Sequence, residues 1–212
     1  QIAYGMTETS PVSTQTASTD PFEKQVTTVG RTQPHLETKI VDPASGRILP
    51  RGEIGELCTR GYSVMLKYWN NEEATNKAVD SAGWMHTEDL ATMDEEGYIQ
   101  IVGRIKDMVI RGGENVYPKE IEEFLYTHPS VTEVQVTGVP DKKYGEELIA
   151  WVKLAPGAEE VTADDLKAFC KGKITHFKIP RYFKFTDEFP MTVTGKIQKF
   201  KMREISTEEL GL

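Results

Sequence analysis

The chain has 212 residues, with 25 Lys and Arg against 33 Asp and Glu, a formal charge of −8 and 38% hydrophobic residues. That length suits one large or two modest domains, and that composition is ordinary for a globular protein. The acidic balance argues against a general nucleic-acid binder, which needs a basic face, and no apolar run approaches the roughly 18 residues of a membrane span.

The chain opens with "QIAYGMTETS" and no initiator methionine. A strand running into a tight turn at Gly5 predicts a fragment entered mid-sheet. The first twenty residues hold no Lys or Arg, the pattern of neither a secretory signal nor a transit peptide. Residues 1–19 read as a strand end and a Ser/Thr-rich loop. From about 36 to 105, short strand candidates alternate with turns. "HLETKIVDPASGRILPRGEIGELCTRG" alternates apolar and polar residues between Pro, Gly and Asp punctuation, a pattern of antiparallel β-structure. "NNEEATNKAVDSAG" predicts a short helix capped by Asn70 or Asn71. "YIQIVGRIKDMVIRGG" predicts two strands broken at Gly103–Asp107.

After Gly113 helices and strands alternate. "YPKEIEEFLYTHP" places Pro118 at a helix start, with Ile121, Phe124 and Leu125 on one apolar face. "VTEVQVTGVPD", "EELIAWVKLA" and "RYFKFTDEFP" read as strands. "TADDLKAFCKGKI" opens with Thr162 and Asp165 three apart, an N-cap signature. "GKIQKFKMREIS" predicts a last, amphipathic helix. The result is a small α+β domain of roughly a hundred residues.

Generic motifs are missing. No two glycines are separated by a single residue, so there is no GxGxxG, and there is no GxSxG. "PMTVTGK" is no Walker A loop, because Pro190 stands at its first glycine and Ile197 replaces the Ser/Thr. The histidines at 35, 86, 128 and 176 show no zinc-ligand spacing. Cys58 and Cys170 form no CxxC and read as buried free thiols of a reducing compartment. What remains is polar clusters in turns. In "YGMTE", Tyr4 offers a ring to stack on a base, Gly5 a turn, Thr7 a hydroxyl for a phosphate, and Glu8 a carboxylate for Mg²⁺. In "GWMHTEDLA", Asp89 ends a polar loop and can accept ribose hydroxyls. In "GRIKD", Arg104 brings a fixed fork of donors. Each has an ordinary alternative: a polar turn, a cap, a surface ion pair. Lys196 by itself reads as a solvated lysine at a helix start, where the helix dipole favours an anion instead.

Taken together, "YGMTETSP", "GELCTRGYSVMLKYW", "GWMHTEDLA", "GYIQIVGRIKDMVIRGGENVYPKEIEEFL" and "TVTGKIQKF" resemble the later motifs of the adenylate-forming superfamily. "IRGGENVYPKEIE" and "CKGKITHFKIPRY" are most similar to medium-chain fatty acyl-CoA synthetases. The resemblance covers essentially the whole chain. It implies an α+β fold: residues 1–106 are the β-rich C-terminal part of a large AMP-binding domain, and 107–212 a small mobile domain with a mostly antiparallel sheet, hinged near Asp107. It implies a reaction in which a carboxylic acid attacks the α-phosphate of ATP and a thiol, usually coenzyme A, then displaces AMP. Tyr4 then stacks on adenine with Gly5 beside it, Thr7 contacts the α-phosphate, Glu8 ligates Mg²⁺, and Asp89 holds the ribose with Arg104 nearby. Lys196 becomes the catalytic lysine that bridges the acid and the α-phosphate. Gly112 and Gly113 let the pantetheine arm of coenzyme A approach the backbone.

The chain departs from the family in two ways. It lacks the upstream phosphate loop and most of the acyl pocket, so this stretch alone is expected to be inactive without the N-terminal portion of its chain. Glu88 stands where the family usually has glycine, and like-charge repulsion of nucleotide and a solvent-facing carboxylate are the two outcomes open. The alternatives are a carrier-protein-loading ligase and a truncated, non-catalytic AMP-binding module. The expected location is cytoplasmic, or the mitochondrial matrix if the N-terminal portion carries a transit peptide.

Overall fold

The structure is a computed structural model that describes residues 1–158 and 160–212. The chain divides into two compact units, Gln1–Lys106 and Asp107–Leu212. The fold class is α+β, with helices alongside largely antiparallel sheets.

The first unit runs β1 (Ala3–Gly5), β2 (Val12–Gln15), α1 (Phe22–Thr27), β3 (Arg31–Thr32), β4 (Leu36–Val41), β5 (Gly55–Gly61), α2 (Glu72–Ala78), β6 (Met85–Met93) and β7 (Ile99–Arg104). Strands β1, β2 and β3 form one antiparallel sheet, and β4 to β7 form a second in simple chain order. A short polar turn joins β6 to β7, while a longer loop joins β4 to β5 and a connection carrying α2 joins β5 to β6; all three pairs are antiparallel. Its apolar positions converge in a core of Ile40, Leu57, Ala91, Met93 and Ile99, on which Tyr4 and Val29 pack. The two sheets are also laced by backbone, Val29 N–H donating to the Ile99 carbonyl at 2.8 Å and Ile99 N–H to that of Gly30 at 2.9 Å. Asn71 caps α2, its Oδ1 accepting from Ala74 N–H at 3.0 Å. Helix α1 occupies a stretch in which the sequence pattern predicts no element: it is only six residues long and buries none of its side chains, its apolar Phe22 and Val26 both being exposed.

The second unit runs β8 (Val109–Arg111), β9 (Glu114–Val116), α3 (Pro118–Leu125), β10 (Val131–Asp141), β11 (Gly145–Leu154), α4 (Ala163–Cys170), β12 (Tyr182–Phe185) and α5 (Lys199–Leu210). Its sheet has β11 at the centre, antiparallel to β10 and β8 and parallel to β12. Alternation along β11 sends Leu148, Ala150 and Val152 to one face and Ile149 and Trp151 to the other, as a period of two requires. The first face packs on Ile121 and Leu125 of α3 and on Leu166 and Cys170 of α4. The second packs on Met202 of α5 and on Phe189. Pro118 is the first residue of α3, and Thr162 and Asp165 form a reciprocal capping box on α4. No helix among the described residues is long and apolar enough to cross a membrane.

One buried polar contact fastens α5 to the sheet. Trp151 Nε1–H donates to Ser206 Oγ at 2.8 Å, with Ser206 fully buried. Ser206→Ala leaves that indole N–H unpaired and is expected to lower stability by about 1–3 kcal/mol, measured by urea unfolding. An unchanged midpoint would show that another acceptor replaces the hydroxyl.

Candidate functional site

The first unit assembles a carboxylate clamp. Tyr4 Oη–H donates to Asp89 Oδ2 at 2.7 Å, and Arg104 Nε–H donates to Oδ1 at 2.9 Å. Strands β1, β6 and β7 thus place three residues from distant parts of the chain on one group. Asp89 is only 8% exposed, and burying a carboxylate is costly unless it is paired. Among the described residues each oxygen has one bond and keeps a second acceptor direction. Burial first, and then the Asp89 charge, push the Tyr4 phenol well above its usual pKa, so it remains a donor.

Asp89 lies inside strand β6 and not at the end of a polar loop, as the sequence suggests. A local irregularity explains the polar appearance. Cross-strand pairing steps from Glu56↔Leu90 to Cys58↔His86, so β6 carries extra residues in a bulge around Thr87–Asp89. Asp89 N–H donates to Thr87 Oγ1 at 3.1 Å, whose own hydroxyl donates to the Leu57 carbonyl at 2.6 Å. Within the bulge Glu88 has φ +57, the left-handed region that favours glycine. Its N–H is held by Glu56 Oε1 at 3.0 Å, and its exposed carboxylate lies 3.9 Å from Lys77 Nζ.

Next to the clamp is a cleft of about 590 Å³ lined by Glu8, Tyr68, His86, Glu88 and Arg104 among others. Thr7 and Glu8 sit in a 3-10 turn after β1, Thr7 exposed and Glu8 half-buried. Tyr68 Oη–H donates to Glu8 Oε1 at 2.8 Å, a contact that nothing in the linear sequence signals. Gly5 has a steric role: a Cβ there would lie 1.5 Å from the Pro11 carbonyl oxygen, so the bulge between β1 and β2 admits only glycine.

The second unit holds the other candidates on separate turns. Asp107, half-buried, closes a 3-10 turn and is the unit's first residue. Gly112 (φ +61) and Gly113 (φ +89) form the two-residue turn between β8 and β9, where both central residues need positive φ. Arg111, at its foot, makes a bidentate pair with Glu147, with bonds of 2.5 and 2.8 Å, and Glu147 is 1% exposed. Lys196 is not at a helix start. Thr192 N–H donates to the Lys196 carbonyl at 2.8 Å and Lys196 N–H to Thr192 Oγ1 at 3.0 Å, closing a tight loop turned by Gly195 at φ +78. Helix α5 begins three residues later, at Lys199. The Lys196 ammonium is exposed and pairs with no carboxylate among the described residues. Lys199 is tied down instead, donating to Glu122 Oε1 at 2.6 Å, an oxygen that also accepts Val136 N–H at 2.7 Å.

Comparison with known proteins accounts for both units. The model of the AMP-binding enzyme family matches residues 1–69, and that of the AMP-binding enzyme C-terminal domain matches residues 120–196. This chain belongs to the AMP-binding, adenylate-forming enzymes. It is 59% identical over its whole length to the Bacillus subtilis protein YngI, which carries an acyl-CoA synthetase name, and covers 38% of it. It is 51% identical, again over its whole length, to the human mitochondrial medium-chain acyl-CoA ligase ACSF2, and covers 34% of that protein. The chain therefore spans little more than a third of these relatives. Among solved structures, ATP-bound MatB of Rhodopseudomonas palustris matches 98% of this chain at TM-score 0.90 and 37% identity, over 40% of its own length. The o-succinylbenzoate-CoA synthetase MenE of Bacillus subtilis, bound to its acyl-adenylate, matches 95% at TM-score 0.84 and 33% identity, also over 40% of its length.

The backbone at Glu88 makes the glycine of the resembling motif intelligible. Glu88→Gly is expected to hold stability within about 1 kcal/mol, while the β-branched Glu88→Val lowers it by about 1–2 kcal/mol. Urea unfolding of both variants checks this. A larger loss for glycine than for valine would show that φ is not what limits this position.

Proposed function

We propose that this chain is the C-terminal part of a fatty acyl-CoA synthetase that activates a carboxylic acid with ATP and passes the acyl group to coenzyme A. The observation that carries the reading is the Asp89 clamp, a buried carboxylate with spare acceptor capacity beside a cleft lined by Glu8 and Arg104. Residues 1–106 would be the end of the AMP-binding domain, and 107–212 the mobile small domain, with Asp107 as the hinge.

In this reading Asp89 accepts the ribose hydroxyls while Arg104 keeps its charge compensated. Tyr4 offers its ring to adenine, with its hydroxyl already anchored. Gly5 keeps the strand end close to Pro11, and that fixes where Thr7 and Glu8 emerge. Thr7 donates to the α-phosphate. Glu8 fits a Mg²⁺ ligand, since it lines the cleft and, among the described residues, only one of its carboxylate oxygens is engaged, by Tyr68. The ion, when bound, neutralises phosphate charge. The acid oxygen attacks the α-phosphorus, the bond to the pyrophosphate oxygen breaks, and pyrophosphate leaves. The thiol sulfur then attacks the acyl carbonyl and AMP leaves. Lys196 serves the first step by bridging two anions that otherwise repel, since such substitutions rest mainly on positioning and charge stabilisation. Its exposure on a tight loop leaves the ammonium open to an anionic ligand. Gly112 and Gly113, without side chains, suit close passage of a pantetheine arm. The compartment we propose is the cytoplasm, with the mitochondrial matrix suggested by the name of the vertebrate relatives; two buried free thiols accord with either.

Lys196→Ala in the complete enzyme is expected to slow acyl-adenylate formation by roughly 10²–10³-fold, followed by pyrophosphate release. Thioester formation from supplied acyl-adenylate should be largely spared. Equal loss of both half-reactions would remove Lys196 from a role confined to adenylation.

A further inference from the structure

We propose that Glu56, Cys58 and His86 form a binding site for a borderline-soft divalent cation of the zinc class. The spacing of the histidines along the chain shows no such site. Pairing of β5 with β6 creates it, because Cys58 lies directly opposite His86 and Glu56 is two residues before Cys58 on the same strand face. The ligand atoms of the three residues all lie within 4.8 Å of one another.

The distances suit a tetrahedral ion. With zinc–sulfur and zinc–nitrogen bonds of about 2.3 and 2.0 Å, adjacent ligand atoms stand about 3.5 Å apart. Cys58 Sγ and His86 Nδ1 are 3.6 Å apart. Glu56 Oε2 is 2.8 Å from the same nitrogen, a hydrogen bond that would open by about half an ångström as the ion enters. Glu56 and His86 line the cleft, which supplies an entry path and room for water at a fourth position.

A second observation points the same way. A metal-bound histidine generally presents its other ring nitrogen to a carboxylate that sets the tautomer and ring orientation. His86 Nε2 lies 3.8 Å from Asp80 Oδ2. Asp80 is itself aimed by backbone, its Oδ1 accepting from Ala82 N–H and Trp84 N–H, both at 2.9 Å. Binding would expel the Cys58 proton to solvent as the metal–sulfur bond forms. Glu56 Oε1 also holds Glu88 N–H, so an ion here stiffens the bulge that leads to Asp89.

The test is a Co²⁺ titration of the purified protein without nucleotide, read by absorption. One ion per chain is expected, with tetrahedral ligand-field bands and a thiolate-to-cobalt charge-transfer band, all displaced by Zn²⁺. Cys58→Ser should abolish the charge-transfer band and Cys170→Ser should leave it. Asp80→Asn keeps the backbone acceptor and should weaken cobalt binding roughly tenfold or more. It therefore tests the site even if Cys58→Ser does not fold. A missing charge-transfer band, its survival in Cys58→Ser, or unchanged affinity in Asp80→Asn would overturn the assignment. The readout needs neither ATP nor coenzyme A, so its failure would leave the proposed synthetase reading standing.

Discussion

The first unit depends on surrounding the nearly dry Asp89 carboxylate with donors. A buried anion is tolerated only when donors surround it, and removal of one partner typically costs about 3–5 kcal/mol. Here the donors come from strand ends on either side, the Tyr4 hydroxyl from β1 and the Arg104 guanidinium from β7. The clamp therefore ties the small sheet to the meander at the place where ligand chemistry is expected. The bulge at Thr87–Asp89 aims the carboxylate, and that bulge is held by Thr87 on the Leu57 carbonyl and by Glu56 on the Glu88 amide. Neighbouring polar groups are thus linked through one strand irregularity, and the Glu56–Cys58–His86 cluster shares the carboxylate that braces it.

The second unit solves a related problem twice. Each of its two candidate loops stands on a buried carboxylate that binds one cation and one backbone amide. Glu147 takes Arg111, beside the Gly112–Gly113 turn, and the Leu148 N–H. Glu122 takes Lys199, just beyond the Lys196 loop, and the Val136 N–H. In both cases the charge inside the unit fixes the base of a loop whose tip stays exposed. This arrangement gives each exposed loop a firmly held base, consistent with placing functional groups on supported loops.

Two kinds of glycine emerge from the same logic. Gly5 is required by contact, because any Cβ would overlap the Pro11 carbonyl. Gly112, Gly113 and Gly195 are required by backbone sign, each at positive φ in a tight turn. None of them needs flexibility as its explanation. Glu88 occupies the same left-handed region without being glycine, and its exposed carboxylate lies 3.9 Å from Lys77 Nζ.

Local patterns were enough for much of this protein. Alternation identified β4, β5 and β10, and cap chemistry identified α2, α3 and α4, because these signals act within a few residues. Motif order was enough to point to the family, since short clusters such as "YGMTE" and "GWMHTED" keep their chemistry whatever surrounds them. Only the tertiary structure decided that Asp89 is a buried strand residue, that Tyr4 and Arg104 converge on it, that Tyr68 meets Glu8, and that Cys58 faces His86. Lys196 moved from a helix start to a loop because the Thr192–Lys196 hydrogen bonds close a turn before α5 can begin. The physical reason is the same throughout: hydrogen bonds across strands join residues that lie far apart along the chain, and register, which sets those partners, is a property of the folded sheet and not of any single segment.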